Sequence, residues 1–164
     1  KQAEDMNKAL VIAVNKWDGL DTYTREQTRL VLQRKLKVLD FAKFHFVSAK
    51  QNIGLESIFR SVDAAYAAAI TKMSTPRLAR VLADAVARQA PAKFGLFRPK
   101  PRYAHQGGSN PPIIVVHGNA VDKITDSYRR YLEHTFREAF KLQGTPLRIQ
   151  FVSAKNPFAD KDKK

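Results

Sequence analysis

No cysteine occurs among the 164 residues, so neither a disulfide nor a thiolate metal site can be built, which suits a reducing cytoplasm. No apolar run approaches the ~20 residues needed to cross a bilayer. The opening residues are polar and the first apolar run is short, so neither a secretory signal nor a membrane partner is expected. Acidic residues are scarce: 15 Asp and Glu stand against 29 Lys and Arg, a net charge of +14. The scarcity is uneven. Residues 1–70 carry 11 Lys/Arg against 8 Asp/Glu, a net of +3, whereas residues 71–164 carry 18 against 7, a net of +11. The second half is therefore the candidate for a polyanionic partner. The chain also lacks a GxxxxGK[ST] phosphate loop and a DxxG segment. Those backbone amides, the Lys and the Mg²⁺-binding hydroxyl carry phosphate binding and hydrolysis, so no catalytic residue is assigned here. His45, His105, His117 and His134 have no metal-ligand spacing and no carboxylate partner in sequence, so no metal site is assigned.

What is present is a chain that is 44% apolar, enough for one ordinary domain or two small ones. Leu10–Val14 reads as a fully buried strand of a parallel sheet, Thr24–Val38 as a helix and Phe44–Val47 as a second strand. GLESIFRSVDAAYAAAI follows, with Leu55, Ile58, Phe59, Val62 and Tyr66 at helical spacing. This strand–helix alternation implies a covered parallel sheet. Beyond KMSTP the rhythm changes. Thr75 as N-cap and Pro76 in the first turn open a helix with Leu78, Val81, Leu82, Ala85, Val86 and Gln89 on one face. PAKFGLFRPKP is a cationic, proline-rich connector. Arg102–His105 and Ile113–His117 flank the turn-rich QGGSNPP as a hairpin. Asp126–Leu142 is a helix with Tyr128, Tyr131, Leu132, Thr135, Phe136, Ala139 and Phe140 in one core-packing stripe, ended by Gly144 and Pro146. Leu147–Val152 is a last strand, and a charged tail follows.

Two motifs carry chemistry. NKWD, Asn15 to Asp18, follows the first strand at the end where α/β sheets bind ligands. Guanine presents two adjacent donors, and the Asp18 carboxylate can accept both, whereas adenine presents an unprotonated nitrogen there. Lys16 can lay its methylene stem across the base, and Asn15 can bond the base edge and tie neighbouring loops. VSAK, Val47 to Lys50, follows the second strand. Small Ser48 and Ala49 let the backbone approach, an N–H near Ala49 can donate to guanine O6, and Lys50 can cover the other side of the base. The two motifs in this order, with a helix between them, indicate guanine recognition.

Here the chain resembles the guanine-recognition half of the translation-factor-related GTPases. The run PRYAHQGGSNPPIIVVHGNAVDKITDSYRRYLEHTFREAFKLQGTPLRIQF is similar to the C-terminal domain of the Der (EngA) family, bacterial ribosome-assembly GTPases with two tandem GTPase domains. The resemblance covers NKWDGL through NPF. It implies an α/β fold: residues 1–72 as the C-terminal part of the second GTPase domain, 73–155 as an α+β KH-like domain, and 156–164 as a tail. It also implies GTP/GDP as the nucleotide, with Mg²⁺ held by the parent protein outside this chain. The implied partners are the large ribosomal subunit with its rRNA and the first GTPase domain of the same protein. Arg77, Arg80, Lys93, Arg98, Lys100 and Arg102 are then the candidate RNA contacts. The family pattern has a departure: HGNAVDKITDS contains no GxxG, the KH clamp on a nucleic-acid backbone. That absence disfavours the KH-bearing Era family and leaves open a non-enzymatic module with an inert GTPase remnant. Trp17 reads as packing. The second VSAK, Val152–Lys155, reads as coincidence, and no exposed aromatic platform is evident.

Overall fold

The computed structural model describes residues 8–153, so the charged tail and the Ala154–Lys155 end of the second VSAK lie outside the described residues. The fold is mixed α/β, in two compact units. One comprises Lys1–Thr71 with the segments Ser109–Pro112 and Lys141–Leu147; the other comprises Lys72–Gly108, Ile113–Phe140 and Arg148–Lys164.

In the first unit, β1 (Val11–Val14) and β2 (Lys43–Phe46) pair in parallel, Val11 opposite Lys43 and Val14 opposite Phe46. The connection runs through α1 (Thr22–Lys35). That helix starts two residues before the expected Thr24, because Asp21 takes the N-cap: its Oδ1 accepts the Thr24 N–H at 3.0 Å, and the Thr24 hydroxyl donates to its Oδ2 at 2.6 Å. It ends at Lys35 rather than Val38, and a single 3-10 turn, Lys37–Leu39, follows. β1 is only half-buried, with Ala13 exposed, against the expected fully buried strand. Its one described neighbour is β2, so half of its ladder and much of its surface have no cover.

α2 (Leu55–Ala69) corrects the expected core face. The side it buries is Ser61, Ala65, Ala68 and Ala69. Phe59 is 70%, Val62 48% and Tyr66 63% exposed. Small residues face inward because backbone comes close: a Cβ on Gly144 would collide with Ala65. Gly144 holds that approach with φ +84°, donating its N–H to the Phe41 carbonyl and accepting from the Leu10 N–H, both at 2.7 Å.

In the second unit, α3 (Thr75–Arg88) has Ser74, not Thr75, at the N-cap position, with Pro76 in the first turn. β3 (Lys100–Gly108) and β4 (Ile113–Asn119) pair antiparallel over a longer span than expected, and β5 (Arg148–Ser153) lies parallel to β4. α4 spans Asp126–Phe140, two residues short of the expected Leu142, because Lys141 turns left-handed at φ 55°. Helices α3 and α4 cover one face of this sheet. The core there is Leu78, Leu82 and Ala85 of α3, Tyr128, Leu132 and Phe136 of α4, and Ala104, Ile114, Val116 and Ile149 of the strands. Tyrosine hydroxyls tie the helices together: Tyr128 donates to the Gln89 carbonyl at 2.7 Å and Tyr131 to the Ala85 carbonyl at 3.0 Å.

Burial, and then the neighbouring Tyr131, push the Tyr128 phenol up to about 12. The fold favours the neutral phenol, so this contribution to stability is complete below the unfolded value near 10 and is lost as pH rises through about 12. Tyr128→Phe should cost ~1 kcal/mol at neutral pH, the worth of one hydrogen bond. It should also flatten the alkaline loss of stability, as read by urea denaturation of the two proteins at neutral and alkaline pH.

Candidate functional site

The NKWD and SAK motifs meet at the carboxyl ends of β1 and β2. The Asn15 carbonyl oxygen accepts two backbone protons, from Lys16 N–H at 2.7 Å and from Ala49 N–H at 3.0 Å. One side chain therefore pins the NKWD loop to the SAK loop, 34 residues away in sequence. Two backbone bonds continue the join: Val47 N–H to the Val14 carbonyl at 2.9 Å, and Trp17 N–H to the Val47 carbonyl at 3.1 Å. Lys16 adopts the left-handed region at φ 63°, ψ 31°, which an L-residue enters at a cost and which here turns the chain into the one-turn helix Trp17–Gly19 carrying Asp18.

The Ser48 hydroxyl beside Asp18 holds its carboxyl below the usual carboxylate range, with Lys50 and Arg25 helping as nearby positive charges. Asp18 is thus ionised and ready to accept two donors. Ser48 is itself buried, accepts the Gln51 N–H at 3.2 Å, and pairs its backbone both ways with Ile53. The Ala49 N–H, assigned in sequence to guanine O6, is engaged by Asn15, so it reaches a base only by sharing that proton. Trp17 packs: its ring lies 4.2 Å from that of Phe46, and the Arg29 guanidinium sits 5.6 Å and 5.0 Å from the two ring centres. Asn15, Lys16, Asp18, Ser48, Ala49 and Lys50 are therefore brought together. A separate cleft of about 370 Å³, lined by Lys43, Ser57, Arg60, Ser61, Ala64, Gln143 and Gly144, shares none of these residues. Beside it His45 is structural, bonded to Ser61 at 2.8 Å and Ser57 at 3.0 Å.

The basic candidates of the second unit do not behave as one group. Arg77 is a tie within the fold, donating to the Ala139 carbonyl at 2.6 Å with its guanidinium 4.7 Å from the Phe140 ring centre. Arg80 is exposed on α3. Lys93 and Arg98 flank a tight turn in which Phe94 and Phe97 exchange backbone bonds at 2.7 and 3.1 Å and Leu96 stands 96% exposed. Lys100 opens β3, and Arg102 occupies a bulge where the register slips between Pro101 and Tyr103. HGNAVDKITDS leads from β4 into α4, with Asp122 held to β5 through its N–H bond to the Ser153 hydroxyl at 3.1 Å and the Ser153 hydroxyl donating to its carboxylate. His134 does have a carboxylate partner, Glu138 one turn on at 3.6 Å. Sequence reasoning also missed a ring cluster, Tyr103, His105 and His117, although rings at alternate positions of a strand were its signal.

Residues 72–151 match the model of the family described as KH-domain-like of EngA bacterial GTPase enzymes, C-terminal. By sequence the chain is similar to the C-terminal portion of the Der (EngA) family. It is 85% identical over 157 residues to GTPase Der of Dechloromonas aromatica, 62% identical over 157 residues to GTPase Der of Paraburkholderia phytofirmans, and 60% identical over 158 residues to GTPase Der of Burkholderia mallei. Each match takes in 96% of this chain but only 35–36% of the relative, so the chain spans about a third of the length of these curated relatives. No helix among the described residues is long and apolar enough to cross a membrane, and no group of three or more His, Cys, Asp or Glu there could hold a metal ion.

In the full-length protein, Asp18→Asn puts a donor against guanine N1–H and should weaken GTP binding about tenfold or more, with a gain for xanthosine nucleotides. Unchanged GTP affinity in a titration would remove Asp18 from base reading. Because its carboxyl is held below the usual carboxylate range, nucleotide binding should persist to lower pH than an ordinary aspartate would allow and be lost only as Asp18 protonates. Ser48→Ala should move that acid limb upward.

Proposed function

We propose that this chain is the C-terminal part of a cytoplasmic GTPase that acts in assembly of the large ribosomal subunit. Residues 10–53 read the guanine of GTP or GDP, and the KH-like unit meets rRNA or the first GTPase domain of the same protein. The observation that carries this is the Asn15 bridge, which sets an ionised Asp18 and the SAK backbone around one point, as guanine recognition requires. The donor set fits guanine and not the phosphates: Asn15, Lys16, Asp18, Ser48, Ala49 and Lys50 would hold the base. The phosphates and Mg²⁺ would be held by residues outside this chain. GTP brings the bond whose hydrolysis drives the switch; the residues here select and orient it. The exposed apolar side of α2, with Phe59, Val62 and Tyr66, suits cover by further strands of a complete GTPase sheet.

A second, non-enzymatic reading draws on the charge of residues 71–164, 18 Lys/Arg against 7 Asp/Glu. On that reading the basic unit is an RNA-binding module and the guanine loops are inert.

The full-length protein should hydrolyse GTP and co-sediment with the large subunit in a nucleotide-dependent manner. Absence of both leaves the module reading. The 164-residue chain alone should show no GTP turnover, since phosphoryl transfer depends on electrostatic positioning that its residues do not supply. Its RNA binding should fall with salt at a log–log slope of about −0.7 to −0.9 per phosphate neutralised. Neutralising Lys93, Arg98, Lys100 and Arg102 together should flatten that slope for all RNAs alike.

A further inference from the structure

The β3–β4–β5 sheet has two unlike faces. Ala104, Ile114, Val116 and Ile149 point to the helices and are buried. The alternate positions, Tyr103 and His105 on β3, Val115 and His117 on β4, and Arg148, Gln150 and Val152 on β5, point the other way. On that face Tyr103 stands opposite His117, and three rings gather. His105 and His117 stack at 5.1 Å with 18° between planes, and Tyr103 lies 5.8 and 5.9 Å from them. Tyr103 remains 44% exposed, as does Val152, and both histidines are partly open. His105 Nδ1 is buried with no hydrogen-bond partner among the described residues. The row continues through Gly107, where a Cβ would sit 2.5 Å from Val115 Cγ2, so no side chain can stand there and block the surface.

The strands themselves carry charge of one sign. The register sets Lys100 opposite Asn119 at one end of the row and Arg148 opposite Ile113 at the other. Strands β3, β4 and β5 contain no Asp or Glu, and the acid-free run extends from residue 85 to residue 121. Rings half-open on a sheet face where Tyr103 and Val152 stay exposed, on strands whose charged residues are all cations, suit bases that carry phosphates.

We propose that this sheet face is a stacking platform for unpaired nucleotides of RNA. Bases lie on Tyr103 and the His105–His117 pair, and a phosphate meets Lys100. This rests on the RNA-binding role proposed above and adds to it a preference for single strands. Duplex bases are already stacked on one another and offer no free face, whereas loops and bulges do. Stacking is tolerant of sequence because every base has a π face, so the platform selects unpaired RNA without selecting a motif.

The test titrates full-length protein with labelled oligouridine and with an RNA duplex of equal length. Tyr103→Ala should weaken oligouridine binding by about tenfold and leave the duplex unchanged. Tyr103→Phe, which keeps the ring, should retain affinity, and the salt slope should not move in either variant. Val152→Glu leaves every ring in place but adds a carboxylate to the face, and it too should weaken oligouridine binding. If RNA binds with its salt slope intact while Tyr103→Ala and Val152→Glu change nothing, the platform is overturned and the electrostatic role stands. Equal losses for duplex and single strand, or an effect confined to binding a protein or a second copy of the chain, overturn it as well. If no RNA binds at low salt, the RNA-binding role fails and the platform with it.

Discussion

The NKWD and SAK loops of this chain are held together by one amide oxygen. Asn15 Oδ1 accepts the Lys16 and Ala49 N–H groups, so one side chain joins the two loops. Without it the left-handed turn at Lys16 loses its local support, and the SAK backbone loses its link to the NKWD loop. Both strands contribute the rest through backbone ladder bonds, which fix where the loops begin but not how they close. A buried Ser48 then lends its hydroxyl to Asp18, so the carboxylate is oriented and kept ionised by the same small residue that lets the backbone approach.

The second unit solves a different problem. Its core is built on one sheet face by Leu78, Leu82, Leu132 and Phe136, with tyrosine hydroxyls closing the ends of the helix pair. On the opposite face Val115 is buried, while Tyr103 and Val152 remain exposed. Not every basic residue is available for a partner either. Arg77 holds the end of α4 and Arg129 lies 5.2 Å from the Phe151 ring centre, so a count of cations overstates the charge available for binding. Lys93 and Arg98 of the connector and Lys100 and Arg102 of β3 lie away from the helix pair.

Where local chemistry decided the outcome, the sequence was legible. The α/β class, the order of the elements and the meeting of NKWD with SAK followed from periodicity and from motifs whose positions relative to strands are set by chain connectivity. Helix ends were read less well. Asp21 and Ser74 took cap positions that competing Thr residues nearby also suited, and Lys141 stopped α4 by turning left-handed before Leu142 could join it.

Which apolar residues are buried was beyond the sequence alone. Phe59, Val62 and Tyr66 recur at helical spacing as a core face would, yet the side of α2 that packs is Ser61, Ala65, Ala68 and Ala69, because the Gly144 backbone approaches there too closely for large side chains. The ring cluster has the same origin. Tyr103 and His105 are two apart on one strand, but His117 joins them only through the β3–β4 register, with a bulge at Arg102 setting that register. The sequence by itself determined the fold class, the residues of the NKWD and SAK loops that meet and the basic second half, since these depend on composition and on neighbours in the chain. Which face packs, which cation is engaged and which rings meet were decided by tertiary structure, since each depends on what a distant segment places opposite.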